Sequence, residues 1–146
     1  MISDSIQRAK ALDSTKSFIV QAPAGSGKTE ILTQRFLSLL ACTQKPEEVL
    51  ALTFTRKAAC EMRSRIIDAL IMTKESIESS HQQKTFDLAK KVITRNNALN
   101  WNLLSNPSRL RILTIDALAA NLLKQLSSIS SLFNTQIGRA SCRERV

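Results

Sequence analysis

The run Ser17-Phe18-Ile19-Val20-Gln21-Ala22-Pro23-Ala24-Gly25-Ser26-Gly27-Lys28-Thr29 reads as a short strand, a turn with two glycines and the opening of a helix. Phe18 to Val20 supplies the apolar strand, and a segment of helical period begins at Lys28. This is the layout of a P-loop, with Ala22 at the first position where the commonest pattern has Gly, and with an intact Gly27-Lys28-Thr29 at its end. In that reading the amides from Gly25 to Thr29 face a bound phosphate, and the following helix adds the positive end of its dipole. The candidate nucleotide-binding residues are therefore Ala22, Pro23, Ala24, Gly25, Ser26, Gly27, Lys28 and Thr29. Lys28 is expected on the β- and γ-phosphates, and the Thr29 hydroxyl on Mg2+. Of the three glycines in the chain, two lie in this turn. Glycine costs stability in regular elements, so its concentration here points to backbone angles that other residues avoid.

Working outward, Ile6, Ala9 and Leu12 have helical spacing before the loop, after Ser3 or Asp4 as N-cap. The helix after the loop carries Ile31, Leu32, Phe36, Leu39 and Leu40 as an apolar stripe. Glu48 to Phe54 reads as a second strand, apolar enough for burial on both faces, as in a parallel sheet. Arg56 to Leu70 reads as a helix with Ala59, Met62, Ile66 and Leu70 inward and an outer Glu61–Arg65 pair. Ser76 to His81 reads as a linker. Phe86, Ala89, Val92 and Ile93 mark another helix, and Asn96 to Leu104 a short one. Leu110 to Ile115 is a third strand, and Asp116 caps a last helix from Ala117 to Leu126. Alternation of strand and helix implies an α/β fold with a parallel sheet flanked by helices.

The 146 residues suffice for one core, and a formal charge of +9 favours a polyanionic partner. Neither a signal peptide pattern nor an apolar run of membrane-spanning length is present, so no membrane partner and a cytoplasmic location are expected. Cys42, Cys60 and Cys142 are too few and too irregularly spaced for a disulfide framework or a zinc site. Residues 137–146 resemble the translation of a short-read sequencing adapter, so the native reading is taken as 1–136, a fragment of a longer protein. Without the three arginines and one glutamate of that tail, the charge of +9 becomes +7.

A second motif makes a resemblance specific. Leu52-Thr53-Phe54-Thr55-Arg56-Lys57-Ala58-Ala59-Cys60-Glu61-Met62-Arg63 is similar to motif Ia of the superfamily 1 helicases of the UvrD/RecB group. Gln7, 21 residues before Lys28, matches the offset of that family's Q-motif glutamine. Ile112-Leu113-Thr114-Ile115-Asp116-Ala117-Leu118 resembles motif Ib, with Asp116 where many relatives carry His. The segments from Trp101 to Leu104 and from Asn106 to Arg111 resemble the exonuclease V beta-subunit-like branch. The resemblance covers residues 3 to about 136. It implies a P-loop NTPase of RecA-like fold, the incomplete N-terminal part of motor domain 1A. It further implies ATP with Mg2+ as cofactors, adenine read by Gln7, and single-stranded DNA held by Thr53, Phe54, Thr55, Arg56 and Thr114. For the parent protein it implies 3′-to-5′ helicase activity in recombination or repair, and partner subunits of a helicase–nuclease complex. The later motifs that make hydrolysis fast do not occur in this chain, so the fragment itself is expected to be inactive.

The residues also admit two other readings. A P-loop nucleotide kinase or GTPase accounts for Gly25 to Thr29 but not for Gln7 or for Thr53 to Arg63, and no Asn-Lys-x-Asp segment is present. A stand-alone basic module that binds nucleic acid predicts salt-sensitive binding without nucleotide.

Overall fold

The computed structural model describes residues 2–21, 23, 25–72 and 80–129. In chain order the elements are α1 (Ile2–Ala11), α2 (Lys28–Leu40), β1 (Leu50–Thr53), α3 (Arg56–Ile71), α4 (Ser80–Ala98), β2 (Arg111–Thr114) and α5 (Ile115–Ile129). Single 3-10 turns at Pro46–Glu48 and Pro107–Arg109 lead into the two strands. The chain divides into two compact units, residues 1–114 and 115–146.

In the first unit β1 and β2 pair in parallel, with Leu50 opposite Arg111 and Thr53 opposite Thr114. Parallel pairing requires a crossover, and α3 and α4 supply it. The face with Ala51 and Ile112 is turned to the core, where Ile112 is almost fully buried. On the other face Leu50 and Leu52 are 42% and 48% exposed, so β1 is buried on one side only, contrary to the expectation from its apolar run. Burial of both faces needs a covering layer on each, and the helices of this unit pack on one.

A larger difference concerns Phe18 to Val20. These residues form no strand, and Ile19 is 99% exposed. A three-residue strand is stabilised by ladder bonds to a neighbour, and among the described residues the two strands of this sheet pair with each other alone. The fold is thus α/β with a two-stranded parallel sheet flanked by helices, smaller than the sheet expected from the sequence.

The core is mainly helical. Phe36, Leu37 and Leu40 of α2, Ile66 and Ala69 of α3, and Ala89 and Val92 of α4 pack together with Trp101, Leu103 and Leu110. The buried residues of α2 are Ile31, Thr33, Gln34, Phe36, Leu37 and Leu40; Ile31, Phe36 and Leu40 are inward as expected, while Leu32 is half exposed. A buried hydrogen bond explains the rotation from the expected stripe: Gln34 Nε2 donates to Thr85 Oγ1 of α4 at 3.0 Å. Each such buried polar pair needs its partner in place, which pins the helix about its axis. Ser80 and His81 belong to α4 and not to a linker; residues 73–79 lie outside the described residues.

Arg35 fastens the N-terminal segment to α2. Its guanidinium donates to the carbonyls of Ala11 at 2.6 Å, Asp13 at 3.1 Å and Lys16 at 2.8 Å, and lies 5.3 Å from the Phe18 ring centroid. A planar fork of donors suits three diverging carbonyls and an aromatic face together.

Between α4 and β2 the sequence suggested a short helix over Asn96 to Leu104; instead the chain turns, with Asn100 and Asn102 at φ 51° and 55°. Asparagine tolerates that region better than other non-glycine residues. The turn carries Trp101 inward, where its indole N–H donates to the Gln44 carbonyl at 3.0 Å. Arg109 closes the loop, donating to Glu47 Oε1 at 2.6 Å and to the Trp101 carbonyl at 2.7 Å.

Those bonds set a pH dependence. The Arg109 hydrogen bond, helped by the charges of Arg109 and Lys45, holds the Glu47 carboxyl below its ordinary value of 4.5. A carboxyl whose pKa is lowered on folding contributes stability above its unfolded value, and loses it as the pH falls through the folded value. Urea midpoints taken from neutral to acid pH are expected to fall below about pH 4.5 in the wild type. In Glu47→Gln the neutral midpoint drops and the acid slope becomes shallower.

In the second unit, α5 carries Leu118, Leu122 and Leu126 at helical spacing. The helix begins at Ile115, so Asp116 lies inside its first turn and is not its N-cap. There the carboxylate still meets the positive end of the helix dipole. Among the described residues no helix is long and apolar enough to cross a membrane.

Candidate functional site

The predicted site residues fall into two groups. Gln7, Pro23 and Ser26 line one cavity of about 670 Å³, together with Arg8, Lys10, Ala11, Phe18 to Gln21 and Ile31. One wall is α1, carrying Gln7 and Arg8; the other is the turn before α2, and the exposed apolar residues Phe18 to Val20 complete the lining. Ala22 and Ala24 lie outside the described residues.

Gly25 and Gly27 have φ of 79° and 82°, a region that a side chain on Cβ makes costly. The sequence argument from glycine usage is therefore met in the backbone. Gly27 is the N-cap of α2, and no side chain caps that helix. The first-turn amides of a helix lack intrahelical acceptors, so this end has the donors that an anion requires. Lys28 folds back on the turn, its Nζ donating to the Pro23 carbonyl at 2.5 Å. Ser26 Oγ donates to the same oxygen at 2.7 Å. Glu30, in the first turn of α2, accepts from Thr85 Oγ1 at 3.0 Å and from Gln34 Nε2 at 3.2 Å, which draws its carboxylate toward α4.

The donor set fits a phosphate. Among the described residues no cluster of His, Cys, Asp or Glu could hold a metal by itself. Mg2+ keeps several waters and takes other ligands from phosphate oxygens and carboxylates; on this turn the exposed Thr29 would be the protein ligand.

The second group sits at the C-terminal edge of the sheet. The register brings Thr53 and Thr114 side by side. Thr53 Oγ1 donates to the Thr55 carbonyl at 3.0 Å, which draws the chain into a tight corner after β1. Thr55 is the N-cap of α3, its Oγ1 accepting from the Ala58 amide at 3.1 Å. With both hydroxyls holding that corner, Phe54 is thrust outward and is 90% exposed. Reading Phe54 as a core residue at a strand end is thereby excluded. Arg56, exposed in the first turn of α3, stands two residues further on. Arg63, on the same helix, donates to the Ile112 carbonyl of β2 at 2.9 Å, so this member of the motif Ia run supports the sheet.

The cavity of Gln7, Pro23 and Ser26 contains none of the strand-end group. Sequence reasoning missed Arg8, whose guanidinium donates to the Ser26 carbonyl at 2.7 Å. Its only signal in the sequence was adjacency to Gln7.

The architecture is thus that of an α/β chain with a glycine-bearing turn opening a helix and with two parallel strand ends, where Thr53 and the buried Thr114, 8% exposed, stand beside an exposed aromatic ring. Residues 3–139 match the family model described as UvrD/REP helicase N-terminal domain, and the chain belongs to that family. It is 45% identical over 53 residues to ATP-dependent DNA helicase Rep of Buchnera aphidicola subsp. Baizongia pistaciae (strain Bp), covering 36% of this chain and 8% of that protein. It is 45% identical over 58 residues to an ATP-dependent helicase/nuclease subunit of Thermoanaerobacter sp. (strain X514), covering 38% of this chain and 5% of that protein. To the helicase/nuclease protein of the same name from Clostridioides difficile (strain 630) it is 38% identical over 79 residues, 51% of this chain and 6% of that protein. The chain spans between 5% and 17% of the length of such relatives. No solved structure matches it.

Proposed function

We propose that the chain carries the ATP-binding turn and one single-strand contact of an ATP-dependent DNA helicase. Lys28 and the amides from Gly25 to Thr29 bind the phosphates, Thr29 takes the magnesium ion, and Gln7 reads adenine. The side-chain amide of Gln7 both donates and accepts, as the adenine edge requires. Magnesium would neutralise charge on the phosphates; the chain's own part is to bind and orient them. Thr53, Phe54, Thr55, Arg56 and Thr114 hold the unpaired strand, a ring for a base and hydroxyls and a guanidinium for phosphates. In the parent, the strand is held here while nucleotide closes and hydrolysis reopens the cleft to a second motor domain, and movement is 3′-to-5′. The names of the relatives extend the proposal to partner subunits of a helicase–nuclease complex.

The observation that carries the DNA half of this reading is the exposure of Phe54 beside Thr53 and Thr114. A ring so placed adds nothing to the core, so removing it isolates its role at the surface. Anisotropy of a labelled oligo-dT with the 146-residue chain is expected to show binding about tenfold weaker in Phe54→Ala. The urea midpoint stays unchanged. Equal oligo-dT affinity in the two proteins would remove motif Ia from the contact.

A further inference from the structure

We infer that Arg8 is a positioning residue for the phosphate-binding turn, an inference that rests on the nucleotide reading above for its consequence but not for its geometry. Arg8 Nη2 donates to the Ser26 carbonyl at 2.7 Å. The same guanidinium lies against Gly27: a Cβ built on that glycine would stand 3.4 Å from Nη1, 3.6 Å from Nη2 and 4.0 Å from Cζ. Gly27 is therefore restricted by its φ of 82°, and the guanidinium of Arg8 lies within contact distance of it.

The peptide unit gives the contact its meaning. In a trans peptide the carbonyl of one residue and the N–H of the next point in opposite directions. Holding the Ser26 oxygen toward Arg8 thus aims the Gly27 N–H away from Arg8, and this amide is one of those expected on a phosphate. Without that bond, the peptide unit can turn over through ψ of Ser26 and φ of Gly27, and a glycine resists that rotation least.

In this structure the turn is closed by Lys28 Nζ and Ser26 Oγ, both on the Pro23 carbonyl. When Lys28 moves to a phosphate, that bond is given up, while the Ser26 hydroxyl stays on the Pro23 carbonyl and Arg8 on the Ser26 carbonyl. Because Arg8 follows Gln7 on α1 and lines the same cavity, one short helix serves both ends of the ligand. An arginine can donate to Ser26 while its flat face packs on Gly27; a lysine offers a point charge on a flexible stem and supports only the first.

The test compares wild type, Arg8→Ala and Arg8→Lys of the 146-residue chain by hydrogen exchange without ligand, and by titration with ATP and with adenosine. In Arg8→Ala, exchange within residues 25–29 is expected to rise about tenfold at the Ser26 amide, which bonds the Pro23 carbonyl, with α3 and α4 unchanged. ATP affinity falls about tenfold while adenosine affinity holds, since only the phosphates meet the turn. Arg8→Lys falls between. Unchanged exchange at 25–29, or equal loss for ATP and adenosine, overturns the inference. Faster exchange at 25–29 in a chain whose wild type binds no ATP upholds the positioning role and overturns the nucleotide reading instead. If Arg8→Ala also loosens α1, the ATP-against-adenosine split in Arg8→Lys decides: a split supports the inference, and its absence overturns it.

Discussion

Replacing Lys28 by alanine is expected to weaken ATP binding by roughly 10- to 100-fold, the range of a charge-assisted contact to phosphate. Calorimetry on the 146-residue chain with Mg2+ would measure it. The same substitution has little cost to the fold, because the bond lost is to the Pro23 carbonyl, which keeps the Ser26 hydroxyl at 2.7 Å. A binding loss without a shift in the urea midpoint separates a ligand from a structural lysine. Competition with GTP extends the experiment to the base. An adenine-reading Gln7 predicts preference for ATP, whereas a guanine-reading kinase or GTPase predicts the reverse. If Lys28→Ala binds ATP as the wild type does, the turn at residues 22–29 is an ordinary helix start with positive φ at two glycines, and the P-loop assignment is lost.

What the sequence made legible follows from which forces are local. The helices α2, α3 and α4 could be read because their apolar positions recur with the helical period. β1 and β2 could be read from short apolar runs between turn residues. The corner at Thr53 to Arg56 was legible as a motif, and the capping by Thr55 is the local chemistry that makes it a corner. The strand at Phe18 to Val20 was misjudged because a strand is a property of a pair, and composition cannot say which partner is at hand. Leu32 was placed inward in place of Leu37 because the rotation of α2 is set by Gln34 and Thr85, residues 51 apart in the chain. Arg8, Arg35 and Arg109 escaped notice for the same reason. Each bonds carbonyls in remote segments, and a carbonyl leaves no mark on the sequence. At the candidate site, glycines and a lysine at fixed offsets were visible, while the arginine that holds them was hidden by its ordinary appearance as a basic helix residue.

Trp101→Ala is the substitution with the largest expected cost to the fold. Trp101 is 3% exposed and belongs to the same core as Leu37, Ile66 and Val92. Truncating a buried aromatic of this size costs about 3–5 kcal/mol. A small domain has about 5–15 kcal/mol in total, so cooperative unfolding is expected to be weakened severely or lost. The loss has two separable parts. Removing the ring leaves a cavity at the junction of α2, α4 and the loop before β2; removing the indole N–H deprives the Gln44 carbonyl of its donor at 3.0 Å. Trp101→Phe keeps much of the apolar volume and deletes the donor, whose loss alone costs about 0.5–1.5 kcal/mol. Far-ultraviolet circular dichroism in urea would measure both, since the chain has a single Trp and its fluorescence is lost with it. Near-equal midpoints for Trp101→Ala and wild type would mean that this loop is not part of the core. The sheet edge with Thr53 and Thr114 would then need another support, because Arg109 ties β2's approach to Glu47 and to the Trp101 carbonyl together. If instead Trp101→Ala unfolds the chain while Phe54→Ala leaves it intact, the aromatic residues divide by role. The buried one builds the platform, and the exposed one, at the platform's edge, is left for the strand.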